Sequence, residues 1–289
     1  MIGVIGGTGG IGRQVLSGLL TAGVPVRAVV RDEPRARALI GPGPQYAVAD
    51  NADDAALGPA LDGLSSLFLV SPVGPDMVRL QGGVIDAAAR AGVEHIARIS
   101  SIAVGDASMD TQFARWHGQL DEHLESSGVR WTHLRPSNFM RNLLAFAGLV
   151  RATGQLRAPL GQGRICFIDD ADIAAVAVAA LTDPVHRDRC YILTGSQWQT
   201  YHEVAGIIAE VTGHRVSYVP VTLDHARDRW RQLGHPDWFV DDLTIMYRQL
   251  ASASVSPVTS DVAAVTGRPP RGLRQFVAAH APAFTPQPA

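Results

Sequence analysis

The sequence predicts a doubly wound, parallel α/β sheet with a smaller C-terminal lobe, on three observations. Short apolar runs alternate with helical patterns through the first half, a glycine-rich turn joins the first run to the first helix, and the rhythm breaks after Pro136. Alternation of this kind places helices on both faces of a parallel sheet, whose strands are buried on both sides and read as unbroken apolar stretches. The strands expected are Ile2–Ile5, Val26–Val30, residues 46–49 and 66–70, His95–Ile99 and residues 131–134. Between them, residues 13–21, 34–40, 53–60, 76–91 and 111–127 have helical spacing, the last closed by Gly128, and serve as right-handed crossovers. After Pro136, a stretch rich in glycine and turn residues (148–163) precedes a strand at 165–168 and an Ala/Val-rich helix at 169–181 with acidic residues in its first turn. That helix and the strand 190–193 are expected to rejoin the main sheet. The remainder has helices at Tyr201–Thr212, 223–233 and 238–251 and a strand at 216–219, and it carries Trp230, Trp238, Phe239 and Tyr247.

The glycine run indicates the ligand class. Gly6, Gly7, Thr8, Gly9, Gly10, Ile11 and Gly12 satisfy both G-x-G-x-x-G and G-x-x-G-x-x-G between a strand and a helix. A strand that turns sharply into a helix needs a residue free to take positive φ, which Gly6 or Gly7 supplies. Gly9, without a Cβ, lets the backbone approach a pyrophosphate, and Gly12 lets helix and strand pack closely. The helix N-terminus then offers unpaired N–H groups to the anion. This is a Rossmann-type dinucleotide site. Residues 1–135 with about 165–195 are accordingly read as the NAD(P)-binding domain, and 136–164 with 196–289 as a substrate-binding lobe.

The composition narrows the partners. With 25 basic and 27 acidic residues the net charge is −2, which gives no electrostatic footprint for nucleic acid or an anionic membrane. No apolar run reaches the ~18 residues of a membrane span. The first strand begins at Met1, so no secretory leader is expected and a cytoplasmic protein is. Cys166 and Cys190, each within an apolar run, are expected to be buried free thiols, and no metal-ligand spacing is visible. The partner expected is a small-molecule substrate; monomer and homodimer stay open.

In a doubly wound sheet, ligands bind at the carboxyl ends of the strands. Arg31 follows the second strand, where an arginine pairs with a 2'-phosphate, so NADP(H) is expected over NAD(H); Asp32, next in sequence, suits a ribose 2'-hydroxyl if the strand ends one residue later. Asp50 and Asn51 close the third strand, beside an adenine or as a turn cap. Ser71, Pro72 and Val73 end the fourth strand, and Ser100 and Ser101 the fifth.

The opening G-G-T-G-G-I-G, the fifth-strand I-S-S-I, the stretch F-A-R-W-H-G-Q-L-D-E-H-L-E-S-S-G-V-R-W-T-H-L-R-P-S-N-F-M-R-N and the tail T-G-R-P-P-R together resemble the NmrA-like branch of atypical short-chain dehydrogenases. Within that branch the likeness is to NAD(P)H-dependent quinone and azo reductases. The resemblance implies cofactor roles for Gly6, Thr8, Gly9, Gly10, Ile11, Gly12 and Arg31, with His117 and the segment 136–139, from Pro136 to Phe139, near the nicotinamide.

One departure from ordinary short-chain dehydrogenases shapes the expected chemistry. Where those enzymes carry Tyr-x-x-x-Lys, this chain has Phe113 and His117, so the phenolic proton donor is missing. General-acid catalysis is commonly worth ~10² to 10⁴ in rate, which disfavours plain ketones as substrates. Quinones, azo compounds and enones give delocalised anions on hydride addition and make a smaller demand. The reading is an NADPH-dependent reductase of planar, electron-poor small molecules. Two rivals stand beside it: a cofactor-sensing regulator without turnover, and a biosynthetic isomerase or cyclase. His117 and Asn138 are the candidate catalytic residues, His117 chiefly to orient the cofactor ribose and Asn138 to bind a substrate oxygen or cap the next helix. Ser137, Arg141 and Asn142 add polar groups, and Val73, Ile102, Asn138, Met140 and Trp238 are the expected substrate contacts.

Overall fold

In the computed structural model, which describes residues 1–252 and 257–286, the first six strands are β1 (Ile2–Ile5), β2 (Val26–Val30), β3 (Gln45–Val48), β4 (Ser66–Leu69), β5 (His95–Ile99) and β6 (Arg130–Pro136). The short β7 (Asn138–Phe139), β8 (Gln155–Ala158) and β9 (Arg164–Ile168) follow, then β10 (Arg189–Leu193), β11 (Trp198–Thr200) and β12 (Ser217–Pro220). The helices are α1 (Gly10–Thr21), α2 (Glu33–Ile40), α3 (Asp54–Leu61), α4 (Met77–Arg90), α5 (Gln112–Ser126), α6 (Ala147–Thr153), α7 (Asp170–Thr182), α8 (Tyr201–Thr212), α9 (Leu223–Gln232), α10 (Asp237–Ala251), α11 (Asp261–Thr266), α12 (Leu273–Ala279) and α13 (Ala281–Phe284).

Seven strands form a parallel sheet in the order β10-β6-β5-β4-β1-β2-β3. Ile2 of β1 lies opposite Val26 on one side and Ser66 on the other, so the winding reverses between β1 and β4, the switch point where such sheets bind ligands. Successive side chains feed opposite faces. Val4 of β1, with Phe68 and Ala97, meets Val15, Leu16 and Leu19 of α1 and Ile173, Val176 and Ala177 of α7. Ile5, with Leu67, Leu69 and Ile96, meets Leu57, Leu61, Val84, Ile85, Leu120 and Leu124 from α3, α4 and α5. Helices on both faces explain why β1, β4 and β5 are buried along their whole length.

The alternating rhythm is therefore realised as a doubly wound sheet, and β10 joins it beside β6 as expected. The strand near 165–168 does not. β9 is hydrogen-bonded on both edges in a separate three-stranded sheet, antiparallel to β11 and parallel to β7. Its Ile165 and Phe167 enter a third apolar cluster with Leu156, Tyr201, Val204, Ile208, Phe276 and Phe284, whereas Ile168 enters the cluster between the main sheet and α1 and α7.

Two further differences have local causes. α1 begins at Gly10 rather than near residue 13, because the later glycines form its first turn. Cys190 is exposed rather than buried, since β10 is the edge strand; Cys166 is buried. The T-G-R-P-P-R segment docks on the first turn of α7: the Arg271 N–H donates to Asp172 Oδ2 at 2.7 Å, Arg268 pairs with Asp172 at 3.2 Å and Arg271 with Asp169 at 3.0 Å. Among the described residues no helix is long and apolar enough to cross a membrane.

Candidate functional site

The turn after β1 is built from glycines for distinct steric reasons. Gly6 has φ +83°, and a Cβ there would overlap the carbonyl oxygen of Val70 at the end of β4. A Cβ on Gly12 would overlap the Gly6 carbonyl, so α1 packs against the turn at backbone distance. Gly9 differs: its Cβ would meet only the Gly6 oxygen at 3.3 Å, leaving its outer side open. Gly9 is also the N-cap of α1, which has no side-chain cap, whereas α2, α3, α5 and α7 are capped by Asp32, Asp53, Thr111 and Asp169. The first-turn N–H groups of α1 thus find no partner among the described residues, and Thr8 and Gly9 are exposed beside them. The guanidinium of Arg141 lies across this turn where a Cβ on Gly10 would project, held by an ion pair to Asp170 at 2.9 Å. Open glycine backbone, uncapped amides and an arginine form a cradle that fits a pyrophosphate.

The other sequence candidates at the sheet ends serve different local ends. Arg31 is exposed just after β2 and engages no partner among the described residues, whereas the Asp32 carboxylate accepts the Arg35 N–H at 2.9 Å. β3 ends at Val48, and Asp50 accepts the Ala52 N–H at 2.9 Å in the following turn, with Asn51 next to it. The Ser71 hydroxyl donates to the Pro72 carbonyl, and Val73 is exposed. Ser100 is buried, Ile102 is half-buried and donates its N–H to the Pro136 carbonyl at 3.3 Å. Asn138 and Phe139 are half-buried in β7, and Met140 is buried in the apolar cluster beneath the lobe. Trp238 meets Phe113 edge-on at 5.7 Å and Trp116 at 5.2 Å. Phe113 also meets Phe239 at 5.7 Å, so the place of the usual tyrosine is the centre of an aromatic cluster joining α5 to α10.

A buried polar network that the sequence reading missed lies between β5 and helices α4 and α5. Arg98, on β5, is fully buried; its Nε donates to Gln81 at 3.0 Å, Nη1 to Asp121 at 2.5 Å and Nη2 to His117 Nδ1 at 3.1 Å. Asp121 also accepts from Ser100 at 2.8 Å and from Arg135 at 2.9 Å. Gln81 donates to the Ser71 hydroxyl at 2.8 Å, extending the network to the end of β4. Burial, followed by the charges of Arg98 and Arg135, pushes the His117 ring down to about 3, so it is neutral at ordinary pH. Burial lowers Arg98 to about 10, against the stabilising charge of Asp121, and it remains a cation. The signals were present: an arginine inside the apolar run H-I-A-R-I, and Asp121 one helical turn after His117 on the face carrying Leu120 and Leu124.

Fold, switch point and glycine cradle define a dinucleotide-binding α/β protein of the short-chain dehydrogenase type. The NmrA-like family model matches residues 1–265, and the chain belongs to that family. The NAD(P)H azoreductase of Xenophilus azovorans is 39% identical over 284 residues, spanning 98% of this chain and 99% of that protein. A (4-alkanoyl-5-oxo-2,5-dihydrofuran-3-yl)methyl phosphate reductase of Streptomyces griseus subsp. griseus is 36% identical, spanning 99% and 100%. The crystal structure of an NADPH-dependent quinone oxidoreductase from Escherichia coli complexed with NADPH matches with a TM-score of 0.87 at 27% identity, covering 97% of this chain and 99% of that one.

Proposed function

We propose that this protein is an NADPH-dependent reductase of planar, electron-poor small molecules: quinones, azo compounds or enones. The observation that carries the reading is the aromatic cluster around Phe113. Its ring is packed edge-on against Trp238 and Phe239, and the neighbouring His117 is neutral, so neither residue is a strong acid beside the sheet edge. A bound reduced nicotinamide supplies hydride. This arrangement suits acceptors whose reduced form is a delocalised anion that solvent can protonate, and it suits simple ketones poorly. The named activities of the two relatives and of the solved quinone oxidoreductase support the same substrate class.

The chain's own residues have the following proposed parts. The α1 amides and Gly9 take the pyrophosphate, and Arg141 neutralises it. Arg31, free at the end of β2, pairs with a 2'-phosphate, while Asp32 is committed to capping α2; this favours NADP(H) over NAD(H). His117 offers an N–H to the ribose, and Asn138 a side-chain amide to a substrate oxygen. Val73, Ile102 and Trp238 supply apolar surface. The test follows NADPH absorbance with a menadione-type quinone, an azo dye, a conjugated enone and an aryl ketone. Oxidation by at least one of the first three, with the ketone inert, is expected. Binding of NADPH without oxidation by any acceptor would instead indicate a regulator.

A further inference from the structure

The geometry points to Arg98 as a positioning residue: by donating to Nδ1, it locks His117 in the tautomer that carries its proton on Nε2 and presents that N–H at the carboxyl edge of the sheet. The argument rests first on donor chemistry. A guanidinium can only donate, so His117 Nδ1, 3.1 Å from Arg98 Nη2, must be the acceptor, and the single proton of the neutral ring then sits on Nε2. The cation is itself held in place. Gln81 and Asp121 take two more of its N–H groups, and Nη2 also lies 3.5 Å from the His117 carbonyl oxygen. The charged groups facing the ring are Arg98 from β5 and Arg135 from β6, with Asp121 from α5 bound to both.

Placement gives the donor its direction. Asp121 is level with Ser100, the residue just past β5, to which it is hydrogen-bonded. α5 returns antiparallel to the strands, so His117, four residues earlier, lies about 6 Å farther out toward the carboxyl edge. His117 is 8% exposed, and Nε2 makes no hydrogen bond among the described residues. Arg98 reaches the same edge a second way, through Gln81 to the hydroxyl of Ser71. One buried cation thereby sets two polar groups at the carboxyl edge of the sheet, which a residue needed only to fill the core would not require. A methionine of similar length would fill that space without the cost of burying a charge.

What the Nε2–H meets depends on the proposed reductase reading; the tautomer does not, and it is measured first without cofactor. Long-range ¹H–¹⁵N correlation spectra of the labelled protein, with His117→Ala to assign the signal, are expected to show protonated Nε2 and bare Nδ1. That pattern should not change between about pH 5 and pH 8. A proton on Nδ1, a tautomer mixture or titration inside that window would overturn the proposal. NADPH addition should then shift the Nε2–H resonance, whereas failure of the native protein to bind NADPH would strike the reductase reading and leave the tautomer result standing. Arg98→Met, checked by circular dichroism, should give a tautomer mixture and about tenfold weaker NADPH binding, the scale of one oriented hydrogen bond. A folded Arg98→Met protein that retains a single Nε2–H form would overturn the assignment, and if the variant does not fold the native spectrum decides.

Discussion

Replacing Asp242 with alanine tests whether α10 holds the N-terminus of α5, the helix that carries Phe113 and His117. Asp242 is 2% exposed, and its two carboxylate oxygens accept the Gln112 and Phe113 N–H groups at 2.8 Å each. Thr111 accepts the Ala114 N–H, and its own N–H bonds the Met109 carbonyl, so all four end amides of α5 are satisfied, two of them by a residue about 130 positions away. Hydrogen bonds to a charged group contribute roughly 1.5–3 kcal/mol each, and a buried amide left without a partner costs about 1–3 kcal/mol. Both amides are only partly buried, and water can recover part of the loss, so we expect a destabilisation of about 3 kcal/mol. In urea unfolding this should appear as a lower midpoint at unchanged slope, and in a thermal scan as a drop of roughly 6–12 °C. Asp242→Asn should recover less than half, because its amide NH₂ would face one of the two donors. A loss below about 1 kcal/mol for Asp242→Ala would refute the reasoning.

Three further outcomes are expected. Arg31→Glu should weaken NADPH binding by about ten- to a hundredfold while changing NADH binding little, read by fluorescence titration; equal affinity of the native protein for both cofactors would refute the 2'-phosphate role. Gly9→Val should lower the melting temperature only modestly, since φ at Gly9 is −80° and the added Cβ would press on a single atom, the Gly6 carbonyl oxygen at 3.3 Å, yet weaken NADPH binding by more than about a hundredfold; a variant that binds normally would show that Gly9 faces no ligand. His95, pushed down to about 4 chiefly by burial, is neutral when folded and protonates first in the unfolded chain. Stability should therefore be full above about pH 6.5 and fall as the pH drops toward 4, by roughly 2 kcal/mol from this residue between pH 7 and 5. Denaturant unfolding at both pH values should show that loss shrink by this amount in His95→Gln, which can keep the 2.8 Å bond to Thr132; an unchanged loss would remove His95 as the source.

What the sequence alone determined about this protein is what depends on near neighbours along the chain. Apolar runs buried on two faces marked the sheet strands, and helical spacing between them marked α3 and α5, the latter closed by Gly128. The glycine turn was readable because its demands, positive φ at Gly6 and backbone contact at Gly12, are met within a few residues. The absent tyrosine was equally plain. Only the tertiary structure decided where each charge went. Arg98, read as part of an apolar strand, proved to be a buried cation because Gln81, Asp121 and His117 converge on it from two helices. Asp242 became the partner of α5, and Arg141 came to lie over Gly10. The physical reason is common to all three. Periodicity records which side of an element is dry, but a polar side chain inside a fold is defined by the partners that satisfy it, and those lie tens of residues away, brought together only by packing.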